Sequence, residues 1–345
     1  MGGTLVISLD FELHWGLRRS MPPRAADAWA SAARWVVGEL LRRFEDAGVA
    51  ATWATVGFLF AANREELEAH APRVRPVYAS PGIDPYRREI GDGEGTDPAH
   101  YARSLIERIK ATPRQEVATH TYSHFYCGEN EGAHAAFDAD LASAVAIARS
   151  LGVRPRSIVF PANQVSRSYL DLLPKHGIRN YRGDSPRLSG DPHVDHGALA
   201  PAVRAMRLAD AYLPLGGRLS YPEASVVERT GLANVRASMF LRVHAAREAA
   251  LSGLHLRRVI GEMRRASEHG EVFHLWWHPH NFVVQPVRSL SVLAGIIQEF
   301  QRLRAEAGMR SSTMDELGRR LRSGASDDTR SSEGERPGAD APPPP

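Results

Sequence analysis

From one end to the other, the chain alternates short apolar, β-branched runs with longer stretches of helical periodicity, and few folds tolerate that alternation. It predicts an α/β fold in which parallel strands are joined by helices. Strands are expected at TLVISL (4–9), VAATWATV (49–56), QEVAT (115–119), SIVF (157–160), IRNYR (178–182) and EVFHLWW (271–277). Helices are expected over 26–47, stopped by Gly48, across FLFAANREELEAH (58–70), and over 98–111, 133–151, 167–176, 235–267 and 289–307. Gly177 suits a C-cap ahead of the strand at 178–182.

No internal repeat or clear linker interrupts this pattern, so residues 1–322 read as one domain, a size that buries ample core at 43% hydrophobic residues. Between 183 and about 230 the chain is rich in Gly, Pro, Asp and His without a sustained period, which suggests a lid or binding loop. Residues 323–345 (SGASDDTRSSEGERPGADAPPPP) lack the apolar content to order themselves and are expected to form a disordered tail.

Composition excludes several function classes. The net charge of +3 is carried by arginine, since Lys110 and Lys175 are the only lysines, and the arginines are scattered. Those from Arg257 to Arg265 alternate with apolar residues as on a solvated helix face, so no nucleic-acid partner is expected. The glycines of GDGEGTD (91–97) are interleaved with acids that would repel a phosphate, which makes this a surface loop. No apolar run approaches the roughly 20 residues of a membrane span, and Asp10 arrives before a signal-peptide core could form, so a cytoplasmic location is expected. The single cysteine, Cys127, excludes an intrachain disulfide and reads as a small packing residue. Oligomeric state is not encoded in any of these features.

Polar residues gather where the strands end. Asp10, Glu12 and His14 follow the first strand, THTYSH follows QEVAT, PANQ follows SIVF, GDSPR follows IRNYR, and His278, Pro279 and His280 follow EVFHLWW. In parallel α/β sheets and barrels that rim is where chemistry is done. The two histidines of HTYSH (120–124) lie four apart, a spacing that puts both imidazoles on one side of a turn. With a carboxylate from another strand end they would form a two-His, one-carboxylate site for zinc or a similar ion. Period-two geometry points Asp10 and Glu12 to the same side.

Taken together, SLDFE, THTYSH, the strand ending in VFPANQ and the late HLWWHPHNF resemble the polysaccharide deacetylase family (NodB homology, carbohydrate esterase family 4). ATWATVGFLF resembles that family's second strand and following helix, and the likeness spans about Thr4 to Phe282. The resemblance implies a distorted (β/α) barrel and a metal-dependent hydrolase that removes acetyl groups, usually from N-acetylated sugars. It implies Asp10 as base, Glu12, His120 and His124 as ligands of one divalent metal, zinc being the expected ion, and His278 as the acid that protonates the departing amine. His280 and Asn281, farther along the same turn, are better placed to hold His278 or substrate than to deliver a proton.

The sequence departs from the family in two places. The family's first motif has adjacent aspartates, whereas Phe11 separates Asp10 from Glu12, so an exchange of their two roles stays open. The third motif's arginine is absent, Ala162 following Pro161; Arg182 or Arg187 could stand in. Asn163, Arg182, Trp277 and His280 are the expected substrate contacts, Trp277 as an apolar wall against a sugar face or acyl methyl. The expected substrate is an acylated amino sugar or small amide, soluble or lipid-linked. Cyclic amide or ureide cleavage on the same fold is the nearest alternative, and a catalytically inactive sugar-binding homologue is another. A non-haem iron oxygenase would want a reducing co-substrate site and a His-x-Asp/Glu pair set on a β-strand scaffold, and neither is read in the expected strands.

Overall fold

The computed structural model describes residues 2–184, 209–213, 217–242 and 251–333. Strand β1 (Thr4–Phe11) is buried along its whole length, and its two faces carry different chemistry. Leu5, Ile7, Leu9 and Phe11 point outward into a core shared with the surrounding helices, while Val6 joins a separate apolar cluster with Ala54, Val159, Val235 and Val272. Period-two alternation thus keeps the inner face for Val6, Ser8 and Asp10.

Further strands are β2 (Ala51–Thr55), β3 (Gln115–Thr119), β4 (Ser157–Ile158), β5 (Asn180–Tyr181), β6 (Tyr221–Pro222), β7 (Ala233–Asn234), β8 (Met239–Phe240), β9 (Glu271–Trp277) and β10 (Arg310–Ser312). The sheet runs β6-β9-β1-β2-β3-β4-β5-β7, with β10 also paired to β1 and β8 to β9. All these ladders are parallel except β6 on β9. The sheet curls into a half-barrel, and the chain from β7 to β8 crosses its open side. Val235 N donates to Tyr181 O and Ala237 N to Gly183 O on one edge, then Ser238 N to His274 O and Leu241 N to Trp276 O on the other.

The helices are α1 (His14–Leu17), α2 (Pro23–Ala47), α3 (Arg64–Ala69), α4 (Arg103–Ala111), α5 (His134–Ser150), α6 (Arg167–Leu170), α7 (Ser252–His269), α8 (Pro286–Ala307) and α9 (Met314–Glu333). Helix α2 buries Val36, Val37, Leu40, Leu41 and Phe44 against the outer face of the sheet and stops where Gly48 turns left-handed at φ 63°. Each such side chain contributes about 1.5–3 kcal/mol when fully buried. Helix α9 closes the opposite end of the barrel from the polar rim. Met314 and Leu317 enter the inner apolar cluster, and Met314 N donates to Thr52 Oγ1 at 2.9 Å.

Several expected elements are revised. The helix expected across 58–70 splits into a 3-10 turn (Gly57–Phe60) and α3, because the Asn63 side chain accepts from Glu66 N at 2.8 Å and starts a new helix there. The third helix starts at Arg103 rather than 98. Pro174 breaks the one expected over 167–176 into α6 and a 3-10 turn (Pro174–His176). The helix expected over 235–267 is wrong in its first part, since VRASMFL (235–241) pairs with β5 and β9 before α7 begins. Strand β10 and helix α9 were not anticipated, and α9 runs to Glu333, so the first part of the expected tail is helical. Most of the loop expected at 183–230 and the chain end after 333 lie outside the described residues. Among the described residues no helix is long and apolar enough to cross a membrane.

Candidate metal centre and active site

The loop after β3 carries both histidines of HTYSH, and it brings them together without a helix. Thr121 and His124 adopt left-handed conformations, φ 64° and 57°, which non-glycine side chains rarely take. Side-chain bonds hold the turn against that strain. Asp140 of α5 accepts from Tyr122 N (2.7 Å), Ser123 N (3.2 Å) and the Ser123 hydroxyl, and Thr121 Oγ1 accepts from Phe125 N (2.7 Å). The His120 and His124 ring centroids end 4.9 Å apart.

Glu12 comes to meet them from the end of β1. Its Oε2 lies 2.9 Å from His124 Nε2 and 3.3 Å from His120 Nε2, all three side chains being buried. A Cβ on Gly16 would stand 1.9 Å from the Glu12 carboxyl, so any side chain there would displace that carboxyl from the histidines. His120 Nδ1 is 2.8 Å from Val159 O, a contact in which the ring nitrogen donates. In the neutral ring Nε2 then turns a lone pair toward a carboxylate oxygen, and this buried atom has no hydrogen-bond partner. Two electron-rich atoms facing each other in a dry site call for a cation between them. Protonation states agree with that reading. Burial pushes His124 down to about 4 against the pull of Glu12. Burial alone would raise Glu12, but the neighbouring His278, His120 and His124 hold it well below the usual carboxylate range. A carboxylate and neutral imidazoles are the ligand forms a divalent ion needs, and these three residues fit one.

Asp10 is engaged differently. Arg182, following β5, donates from Nη1 to Asp10 Oδ1 (2.6 Å) and from Nη2 to Oδ2 (2.7 Å). Burial would raise the Asp10 carboxyl, and the Arg182 and His278 charges together with the Arg182 hydrogen bonds outweigh it and hold it below its ordinary value. Arg182 Nη2 also donates to Asn163 Oδ1 at 2.6 Å, and its guanidinium lies 4.3 Å from the Trp276 ring centroid. Asn163 and Ala162 are both left-handed (φ 54°), which turns the PANQ loop inward to make this contact.

Beneath this pair runs a hydrogen-bond chain whose directions are fixed by chemistry. Arg182 Nη1 can only donate, so Ser8 Oγ accepts from it (3.0 Å) and gives its own proton to His274 Nε2 (2.8 Å), leaving His274 Nδ1 to donate to Val235 O (3.0 Å). His274 is accordingly neutral: burial and the nearby Arg182 charge push it down to about 3. Ser8 and His274 were not singled out in the sequence. Their signal was position, a serine two residues before Asp10 and a histidine inside an otherwise apolar strand.

His278 completes the site. Its Nε2 stands 3.6 Å from Asp10 Oδ2 and 3.4 Å from Glu12 Oε1, with the side chain 22% exposed and so open to a substrate. Asn281 fixes the turn, its Oδ1 accepting from His278 N (3.1 Å), and the His280 ring stacks on His278 with centroids 4.8 Å apart. Asp10, Glu12, His120, His124, Asn163, Arg182, His278 and His280 are therefore brought together. Trp277 is not. It points outward and packs on Phe44 and Phe282 in the core, while its neighbour Trp276, partly exposed and against Phe240, faces inward. The strand's alternation decides which tryptophan faces the site. Arg187 lies outside the described residues. Cys127 is buried in a second apolar cluster, and its thiol is pushed up by burial, as befits a packing residue.

No family model and no curated protein matches the sequence. Among solved structures, the chain is similar to a protein described as a polysaccharide deacetylase from Mycobacterium smegmatis (TM-score 0.53, 13% identity, 100% of this chain and 96% of that one). It is also similar to one so described from Pseudomonas aeruginosa PAO1 (TM-score 0.53, 11% identity, 92% and 89%). A GH57-type branching enzyme from Pyrococcus horikoshii superposes over 99% of this chain and 72% of its own at 12% identity and TM-score 0.53. At these identities what the chain shares with all three is the fold, a curled and mainly parallel sheet ringed by helices.

Proposed function

We propose that the protein is a metal-dependent hydrolase of carbon–nitrogen bonds that removes an acyl group, acetyl foremost, from an amino sugar or related small amide. The observation that carries this reading is the division of labour between two carboxylates on one strand end: Glu12 faces two histidines, Asp10 faces Arg182, and His278 stands within 3.6 Å of both. A divalent ion held by Glu12, His120 and His124 would supply Lewis-acid activation of water and of the acyl oxygen. A guanidinium beside Asp10 disfavours a second role there as metal ligand and keeps the carboxylate ionised, ready to accept a proton from water at Oδ2. His278 Nε2, within reach of substrate, is the group to hand a proton to the departing nitrogen, which leaves poorly as an anion. Trp276 and Phe240 offer an apolar wall beside it.

The polysaccharide deacetylases with which the fold is shared support this class. The branching enzyme shares the fold as well, yet glycosidic chemistry wants a carboxylic acid that keeps its proton. Asp10 and Glu12 are both held below their ordinary values, which favours a histidine as the proton donor. Incubating zinc- or cobalt-loaded protein with acetamido sugars, sugar nucleotides, glycolipids and ureides, while measuring released acetate and ammonia, tests the reading. Acetate released by the wild type and not by Asp10→Asn is the expected result. Ammonia from a ureide would move the substrate to the cyclic amides, and silence across the panel with metal bound would favour a sugar-binding protein.

A further inference from the structure

A second group of buried histidines lies just beyond Glu12, on other segments of the chain. His14 opens α1, Asp27 sits in the second turn of α2, and His100 belongs to the segment that leads into α4. One ligand atom from each lies within 4.8 Å of the others. His14 Nδ1 and Asp27 Oδ1 are 2.6 Å apart, yet neither atom makes a properly aligned hydrogen bond. His14 Nε2 and His100 Nε2 also lack hydrogen-bond partners, although the two residues are only 1% and 3% exposed. Four polar atoms in one cluster, buried and unpaired, would cost several kcal/mol if nothing satisfied them.

The surroundings prepare the cluster for a cation. His100 Nδ1 is 2.9 Å from Asp97 Oδ1. Asp97 also accepts from Gly91 N at 2.8 Å, and against this acceptor the ring donates. That carboxylate–imidazole pairing orients metal-ligating histidines and leaves the lone pair on Nε2. Arg88 Nη2 stands 3.7 Å from the other Asp27 oxygen, Oδ2, and leaves Oδ1 to the histidines.

We propose that His14, Asp27 and His100 form a second divalent-cation site, suited to zinc, that is distinct from the Glu12 centre. Two imidazoles and one carboxylate match zinc's preferred ligands, with water left to complete the shell. The site ties α1 to α2 and to the 97–102 segment, which is also fastened by Trp15 Nε1 donating to His100 O (3.1 Å). Since α1 contains Gly16, on which the Glu12 carboxylate lies, a cation here holds the turn that presents Glu12. Its role is structural.

The test is zinc content of the full chain after exhaustive dialysis, by elemental analysis, with circular dichroism to verify folding. Wild type is expected to hold two equivalents, Glu12→Ala one, Asp27→Asn one, and the double variant none. His100→Gln should behave like Asp27→Asn. Asp27 is 41% exposed, so its asparagine variant folds even if the buried histidine variant does not. In the Glu12→Ala background, added zinc should still raise the melting temperature, and Asp27→Asn should abolish that rise. Asp27→Asn protein that keeps the wild-type zinc content would overturn the proposal. A wild type with a single equivalent, retained in Glu12→Ala and lost in Asp27→Asn, would uphold this site while removing metal from the proposed active centre.

Discussion

Arg182 clasps Asp10 from the far side of the half-barrel, two guanidinium nitrogens on two carboxylate oxygens at 2.6 and 2.7 Å, with three strands between their own. The sequence offers no arginine at Ala162, and the one that binds Asp10 comes from a different strand. The same guanidinium binds Ser8 and Asn163 and covers Trp276, so one side chain orders most of the site.

Removing that arginine strands a buried carboxylate. Arg182→Met should lower the unfolding free energy by about 3–5 kcal/mol, and Arg182→Lys should recover little because a lysine cannot match the two-pronged geometry. Replacing both partners, as in Asp10→Leu with Arg182→Met, should restore much of the stability while leaving no activity. Urea unfolding of the four proteins checks this, and a wild-type midpoint for Arg182→Met would show that the pair is not buried as described.

Metal content separates the two carboxylates. Glu12→Ala and His124→Ala should each lose one equivalent of metal relative to wild type, while Asp10→Asn keeps the full complement and loses turnover. Elemental analysis of folded protein decides it. Loss of metal in Asp10→Asn together with retention in Glu12→Gln would exchange the roles of the two residues.

The histidines after β9 should also part company. His278→Ala is expected to lower kcat by about 10² or more and to abolish the alkaline limb of the pH profile, as for loss of a proton donor. His280→Ala, which removes the ring stacked on His278, should act mainly through KM. A reversal of these two results would make His280 the donor.

Acid sensitivity should trace in part to His274. Its folded value of about 3 lies below the ordinary 6.5, so the unfolded chain takes up a proton first. The stability it permits is complete above pH 6.5 and declines as pH falls toward 3. His274→Gln should therefore flatten stability against pH across that window. Thermal melts between pH 7 and 4 measure the slope, and an unchanged slope would mean that His274 does not stay neutral in the fold.

The adjacent tryptophans offer a contrast within one strand. Trp277→Ala should cost about 3–5 kcal/mol as a core truncation, whereas Trp276→Ala should leave the fold nearly intact and raise KM for substrate. Equal effects on stability would contradict the inward and outward assignment.

How much of this was legible beforehand follows from the range over which each signal acts. Periodicity is local, so β1, β9 and the helix stopped by Gly48 could be read from neighbours along the chain. The strand-end clustering of Asp10, Glu12, His120, His124 and His278 was legible because parallel sheets put their reactive residues at one rim. Segment 235–241 reads as helix from its neighbours along the chain, and only the open edge of the sheet, with backbone groups to satisfy, turns it into the piece that crosses the gap. The inward face of β9 is set by its register with β1, which no single window of sequence contains, and so Trp276 rather than Trp277 looks into the site. Likewise, that Arg182 meets Asp10, that Ser8 meets His274, and that His14 meets Asp27 and His100 depends on side chains converging from distant segments. Residue types and local pattern determined the class of fold and the inventory of reactive groups. Tertiary structure alone decided which of them touch, because burial, charge and hydrogen bonding act through space.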